Sequence, residues 1–167
     1  AMMQTNVNVQ ALAVEAALGV LGLHGTAEAK LKDPENDYYS HFDLRRLTAE
    51  EIRDSVLAVS GNLNLQKSEG PSIYPPIPRE VLAGQSVPGK GWETSNPEDS
   101  AGRSVYVHIK RSLGLPILVA FDAPDPDSPC PVRFTTTQPT QALGMINGEF
   151  MQLQAKIFAE QLQKASS

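Results

Sequence analysis

Three carboxylates, Asp122, Asp125 and Asp127, fall within six residues in the turn FDAPDPDSPCPVR, and four cations, Arg103, Lys110, Arg111 and Arg133, flank them. Closely spaced aspartates offer the oxygen ligands that hard cations take, so Asp125 and Asp127 are weak candidates for a calcium half-site. The register departs from an EF-hand loop, because counting from Asp125 puts Cys130 where glycine is needed and Thr136 where glutamate is needed. The expected role is structural: Asp122 pairs with a nearby arginine and the other two cap proline-spaced turns. No metal and no cofactor are expected. Two carboxylates held at the right separation also perform glycoside hydrolysis, which gives Asp122 and Asp125 an alternative role as acid and base.

The cations suggest a second chemistry. Arg103, Lys110, Arg111 and Arg133, together with Thr135, Thr136 and Thr137 ahead of the last helix, have the donors of an anion site. Arginine forks grip carboxylate, sulfate or phosphate, and exposed N–H groups at a helix start add a favourable dipole. The competing reading is internal, with the arginines binding the Asp122 to Asp127 turn and holding the loops.

Other motifs fall short of a reaction. Gly102-Arg103-Ser104-Val105-Tyr106 lacks the second glycine of a nucleophile elbow. Gly89-Lys90-Gly91 has neither the Ser or Thr of a phosphate loop nor a third glycine opening a helix. His24, His41 and His108 are too scattered for a local metal motif. Cys130, the single cysteine, sits between two prolines, and a buried, unreactive thiol is expected.

These residues must be positioned by a few elements. Thr48 and Glu51 form a capping box that starts a helix, Leu47 and Ile52 suit a hydrophobic staple, and Gly61 supplies a stop near Ser60. Ile52, Val56, Val59 and Leu63 give its apolar stripe, with Arg53 and Asp54 off it. Gln66 to Gly102 contains six prolines and five glycines, which confines regular structure to a turn around Arg79 to Ala83. Ile73, Tyr74, Ile77, Val81, Leu82 and Trp92 are expected to pin this loop to a core in an ordered form.

Alternation over Ser104 to Lys110, with Val105, Val107 and Ile109 on one side, predicts a short strand. Leu115 to Phe121, split by Pro116, is a partner strand or an irregular core segment. A last helix opens at Pro139, with Leu143, Ile146, Phe150, Leu153 and Ile157 as its stripe, a bend or break at Asn147-Gly148, and packing onto the Thr48 helix. The fold class is thus mainly α: a small helical domain with a minor β-hairpin or extended element and a long ordered Pro/Gly-rich loop.

At 167 residues, 41% hydrophobic and 20% charged, the chain suits one domain with its own core. Residues 1–30 read as an N-terminal helical segment and 31–167 as the main body. The apolar run Ala11 to Leu23 is too short to span a bilayer and carries Glu15, so no transmembrane segment is expected. A net charge of -5 argues against nucleic acid, whose binding needs a basic face to displace counterions. One cysteine excludes an internal disulfide and a Cys-x-x-Cys-His haem attachment.

The ordered blocks LRRLTAEEIRDSVLAVSGNLN, GPSIYPPIPREVLAG, RSVYVHIKRS, FDAPDPDSPCPVR and TTTQPTQALGMINGEF, spanning Asp33 to Leu162, resemble a planctomycete-type exported family of unknown function. Such domains lie C-terminal to a second uncharacterised domain and a c-type cytochrome module. The resemblance implies a periplasmic or secreted location and a cytochrome module or other domains of the same system as partners. It carries no catalytic residue over. The resulting expectation is a non-catalytic binding or scaffolding module that takes an anionic ligand, an anionic glycan among the candidates. The alternative is an enzyme or accessory domain acting on extracellular polysaccharide.

Overall fold

The computed structural model describes residues 27–40, 45–66 and 70–165. The chain divides into two compact units, Ala1–Arg45 and Arg46–Ser167. In the first, helix α1 covers Ala27–Lys32. The buried carboxylate of Asp33 follows it and accepts the backbone N–H groups of Asp37 and Tyr38 at 2.8 and 3.1 Å, closing a tight turn. The apolar run Ala11 to Leu23, His24 and His41 lie outside the described residues.

The second unit begins with α2, Ala49–Val59, opened by the expected capping box. Thr48 N–H donates to Glu51 at 2.8 Å and Glu51 N–H donates back to the Thr48 hydroxyl at 3.4 Å. It ends at Ser60, and Gly61 takes the left-handed φ of 69° that the stop requires. The stripe, however, is not the expected one. Ala49, Arg53, Leu57 and Ser60 are buried, whereas Val59 is 63% exposed. Residues four, four and three apart form a helical ridge as well as the aliphatic set does, and burial of Arg53 follows from acceptors that only the folded loop supplies.

The proline-rich stretch after α2 builds the core. Ile73, Ile77 and Trp92 from this loop pack with Val107, Leu113 and Leu115, and Tyr74, Leu82, Tyr106, Ile117 and Leu118 pack around them. Each fully buried large side chain contributes about 1.5–3 kcal/mol, which holds a loop poor in regular hydrogen bonding in place. Short helices punctuate it: α3, Arg79–Ala83, where a turn is expected, and α4, Pro97–Ser100, capped by Asn96 accepting Asp99 N–H at 2.7 Å. The Trp92 indole N–H donates to the Pro75 carbonyl at 2.9 Å.

The predicted strand and hairpin do not form. Ser104–Tyr106 is a 3-10 turn, which breaks the alternation, so Val107 is buried while Val105 and Ile109 are 67% and 76% exposed. Among the described residues, what remains of the predicted strand is two isolated bridges: an antiparallel one from Lys110 to Leu113, and a parallel one from Ile73 to Val107, made by Ile73 N–H to Tyr106 C=O and His108 N–H to Ile73 C=O, each 2.9 Å. Leu115 to Phe121 is not a strand either. Pro116 occupies the first turn of α5, Pro116–Ala120, where its missing N–H costs nothing.

The last helical stretch does break at the expected place, into α6, Pro139–Asn147, and α7, Glu149–Ala165. A Cβ on Gly148 would stand 2.5 Å from the Gly144 carbonyl oxygen, so the junction requires glycine. Helix α7 packs on α2 as expected, through half-buried Phe150 of the expected stripe and through Gln154, while Leu143, Ile146 and Leu153 of that stripe face solvent. The described residues form a mainly helical small fold with almost no strand.

Candidate binding site

Arg53 is the largest of the fully buried side chains, at 1% exposure. One guanidinium nitrogen donates to the Gly102 carbonyl at 2.9 Å and the Ser104 hydroxyl at 3.1 Å, and the other donates to the Ser100 carbonyl at 2.6 Å. The Phe150 ring of α7 lies beneath it, 5.8 Å from ring centre to guanidinium carbon, a cation–π distance. Asp54 completes the cluster. One of its oxygens accepts Ser104 N–H at 2.8 Å and Ser104 O–H at 2.6 Å, and lies 3.7 Å from Arg53. Burial lowers the Arg53 guanidinium to about 10 and Asp54 opposes that, so Arg53 stays charged at neutral pH. Carbonyls at Ser100 and Gly102 that would otherwise be starved of donors become the acceptors of a buried cation.

A second polar cluster ties α5 and α6. Asp122 has a left-handed φ of 63°, a conformation that Asp tolerates better than most side chains. It accepts Thr136 N–H and O–H at 2.7 and 2.8 Å. These two bonds, in that order, hold its carboxyl below the usual carboxylate range; burial opposes them and the charge of Arg46 assists. Arg46 donates to Thr137 Oγ1 at 2.7 Å and to the buried Gln141 Oε1 at 2.6 Å. The other end of that amide donates to the Ala120 carbonyl at 3.0 Å and to Thr136 Oγ1 at 3.3 Å. A third cluster centres on buried Gln154, whose Oε1 accepts Ser60 O–H at 2.6 Å and Asn62 Nδ2 at 2.9 Å.

The candidate anion-site residues are placed as follows. Arg103 lies 3.8 Å from Asp54, and Lys110 donates to the Lys90 carbonyl. Arg111 pairs with Asp127 at 3.5 Å on the surface, and Arg133 pairs with Glu50 of α2. The four cations thus engage four different groups, and of these only Asp127 belongs to the aspartate turn. Thr136 and Thr137 come together with Asp122 and Arg46, and Thr135 is exposed beside them. Asp125 caps a turn by accepting Asp127 N–H at 3.0 Å and Ser128 O–H at 3.3 Å. Cys130 is exposed rather than buried, because it lies in the middle of a run, Asp125 to Thr135, that is exposed throughout. Trp92 is buried, Tyr74 stacks on His108 with ring centres 4.7 Å apart, and these aromatics serve the core.

Arg46, Arg53, Gln141 and Gln154 escaped the sequence reading. Gln141 had a signal, since it stands three residues after Gln138 and accepts its N–H at 3.2 Å, the spacing of a capping box. Nothing local marks the other three. Among the described residues, no group of three or more His, Cys, Asp or Glu side chains is placed to hold a metal ion, and no helix is long and apolar enough to cross a membrane.

Fold and clusters together define a small, mainly helical domain whose buried polar side chains fasten irregular loops to helices. Residues 23–167 match the family model described as PSD1, a protein of unknown function (DUF1553), and the chain belongs to that family. Neither a curated protein nor a solved structure matches it.

Proposed function

We propose that the domain is a non-catalytic binding or scaffolding module. The observation that carries this reading is how its polar groups are used: Arg53, Asp54, Asp122, Arg46, Gln141 and Gln154 are bound to one another, to neighbouring hydroxyls and amides or to backbone, while large apolar side chains of α5 to α7 face solvent. Groups tied into internal networks are poorly placed to exchange protons with a substrate, and exposed apolar surface favours contact with another protein. The planctomycete-type, exported, cytochrome-linked setting rests on the resemblance of the five sequence blocks. It makes a c-type cytochrome module the first partner to test and a sulfated glycan the first anionic ligand, with Arg111 and Thr135 as its exposed contacts.

Thermal unfolding of the whole chain with a soluble c-type cytochrome, with sulfated and with neutral oligosaccharides tests the reading. A partner at about a hundred times its dissociation constant stabilises the fold by roughly 2.7 kcal/mol, a shift of several degrees. Release of reducing ends from a polysaccharide, abolished by Asp122→Ala or Asp125→Ala, would overturn the reading in favour of an enzyme.

A further inference from the structure

One turn of the first unit holds a strained side chain in the open. Asp33, 7% exposed, accepts the N–H groups of Asp37 and Tyr38 at 2.8 and 3.1 Å and is hydrogen-bonded by Ser40 as well. Asn36 N–H donates to the Asp33 carbonyl at 3.1 Å and Tyr39 N–H to the Asn36 carbonyl at 3.2 Å, so residues 33–40 form two successive turns around one buried carboxylate. Asn36 and Tyr39 both take left-handed φ values, 56° and 53°. Asparagine tolerates that region because its short side chain bonds locally, whereas a bulky side chain there is an outlier.

The strain at Tyr39 returns nothing to the fold. Tyr38 and Tyr39 are 85% and 91% exposed, and among the described residues no hydrogen bond or ring contact holds either side chain. A turn that had only to redirect the chain would be better served by glycine at position 39. Among the described residues Tyr39 is the one large apolar side chain in a left-handed conformation, which separates this turn from the other exposed apolar positions. The turn is also acidic. Glu35 and Asp37 are exposed within it, and residues 27–40 carry four carboxylates against two lysines, of which Lys32 is already engaged.

We infer that this turn is a recognition site for a basic protein segment, whose arginine side chains stack on Tyr38 and Tyr39 while Glu35 and Asp37 meet their charge. The negative face of a tyrosine ring attracts a cation, and a planar guanidinium stacks on it as an ammonium cannot. The carboxylates of the turn select a cationic partner over a neutral or anionic one. A tyrosine fixed by its backbone loses little entropy on docking, so the strain is the cost of a preorganised contact. Two rings bury about 300–500 Å², below the roughly 1,200 Å² of a stable interface, so the binding is weak and is screened by salt. The inference goes beyond the binding-module reading, whose support lies in the second unit, and either can fail without the other.

Titration of the isotope-labelled whole chain with a penta-arginine peptide at low salt, followed through amide NMR shifts, tests the inference. Saturable shifts are expected at Asp37, Tyr38 and Tyr39. Tyr39→Gly should weaken binding roughly two- to five-fold, the equivalent of one exposed cation–π contact. Its urea midpoint should equal or exceed that of the native chain, because glycine takes a left-handed φ without strain. Tyr39→Phe, which keeps the ring, should bind as the native chain does, and Glu35→Gln combined with Asp37→Asn should weaken binding and flatten its salt dependence. Shifts that avoid this turn, a Tyr39→Gly chain that binds as well as the native one, or a Tyr39→Gly chain that unfolds more readily would each overturn the inference. Shifts produced there by a neutral oligosaccharide and not by the peptide would overturn it in favour of a sugar platform.

Discussion

Arg53 shows how one side chain can organise this molecule. Its guanidinium reaches Ser100, Gly102, Ser104 and the Phe150 face at once, joining α2 to α7 and to the end of the long loop. Arg53→Ala should cost about 3–5 kcal/mol, because truncation strands buried acceptors and leaves a cavity. Arg53→Lys should recover little of this, since a lysine cannot divide its donors among acceptors in a planar fork. Urea denaturation of the three proteins checks both statements. Asp122 makes a prediction about acid. Its folded pKa lies below the ordinary 3.8, so the unfolded chain binds more protons in that window. Its contribution is complete above about pH 4 and disappears as pH falls through the folded value. The decline in stability as pH falls below about 4 should therefore be shallower in Asp122→Asn, which keeps the turn but has no carboxyl to protonate, and urea midpoints measured at successively lower pH check it.

At the scale of elements, α2 and α7 are joined by amides and hydroxyls where most helix pairs are joined by aliphatic side chains. Gln154 binds Ser60 and Asn62, and Gln161 donates to the Ser60 carbonyl at 2.7 Å, satisfying the frayed end of α2. Gly61 lies beneath that contact. A Cβ there would be left-handed and would stand 2.6 Å from the Gln161 amide nitrogen. Gly61→Ala should thus cost about 1–2 kcal/mol from the backbone alone and should also dislodge Gln161. The expected drop in melting temperature is roughly 2–4 °C per kcal/mol, and a Gln161→Ala background should remove the part due to the clash while leaving the backbone part.

For the whole molecule, the networks that clamp loop to helix and the hydrophobic cluster all lie within Arg46–Ser167. A chain beginning at Arg46 should accordingly unfold cooperatively with a denaturant slope in proportion to its shorter length, and amide exchange should be slowest at Ile73, Val107 and Leu57. Loss of cooperativity on truncation would show that the first unit contributes to the stability of the second.

Local chemistry was enough to determine the helix start at Thr48, its stop at Gly61, the turn at Arg79 to Ala83, the break at Gly148 and the mainly helical class, because caps, prolines and glycines act within a few residues. The burial of Ile73, Ile77 and Trp92 in an ordered loop was also readable, since a polar-rich stretch keeps such side chains only if a core takes them. Tertiary structure alone decided which face of each helix points inward. Arg53 lies off the apolar stripe and nothing local marks Gln154, and both are buried only once Ser100, Gly102 and Ser60 are brought alongside them, because a buried polar group is stabilised by partners that lie far away in sequence: 94 positions separate Ser60 from Gln154. The same dependence governs the Ser104 to Lys110 segment, where alternation promises a strand but, among the described residues, its neighbours supply only isolated bridges, to Ile73 and to Leu113, and not a ladder.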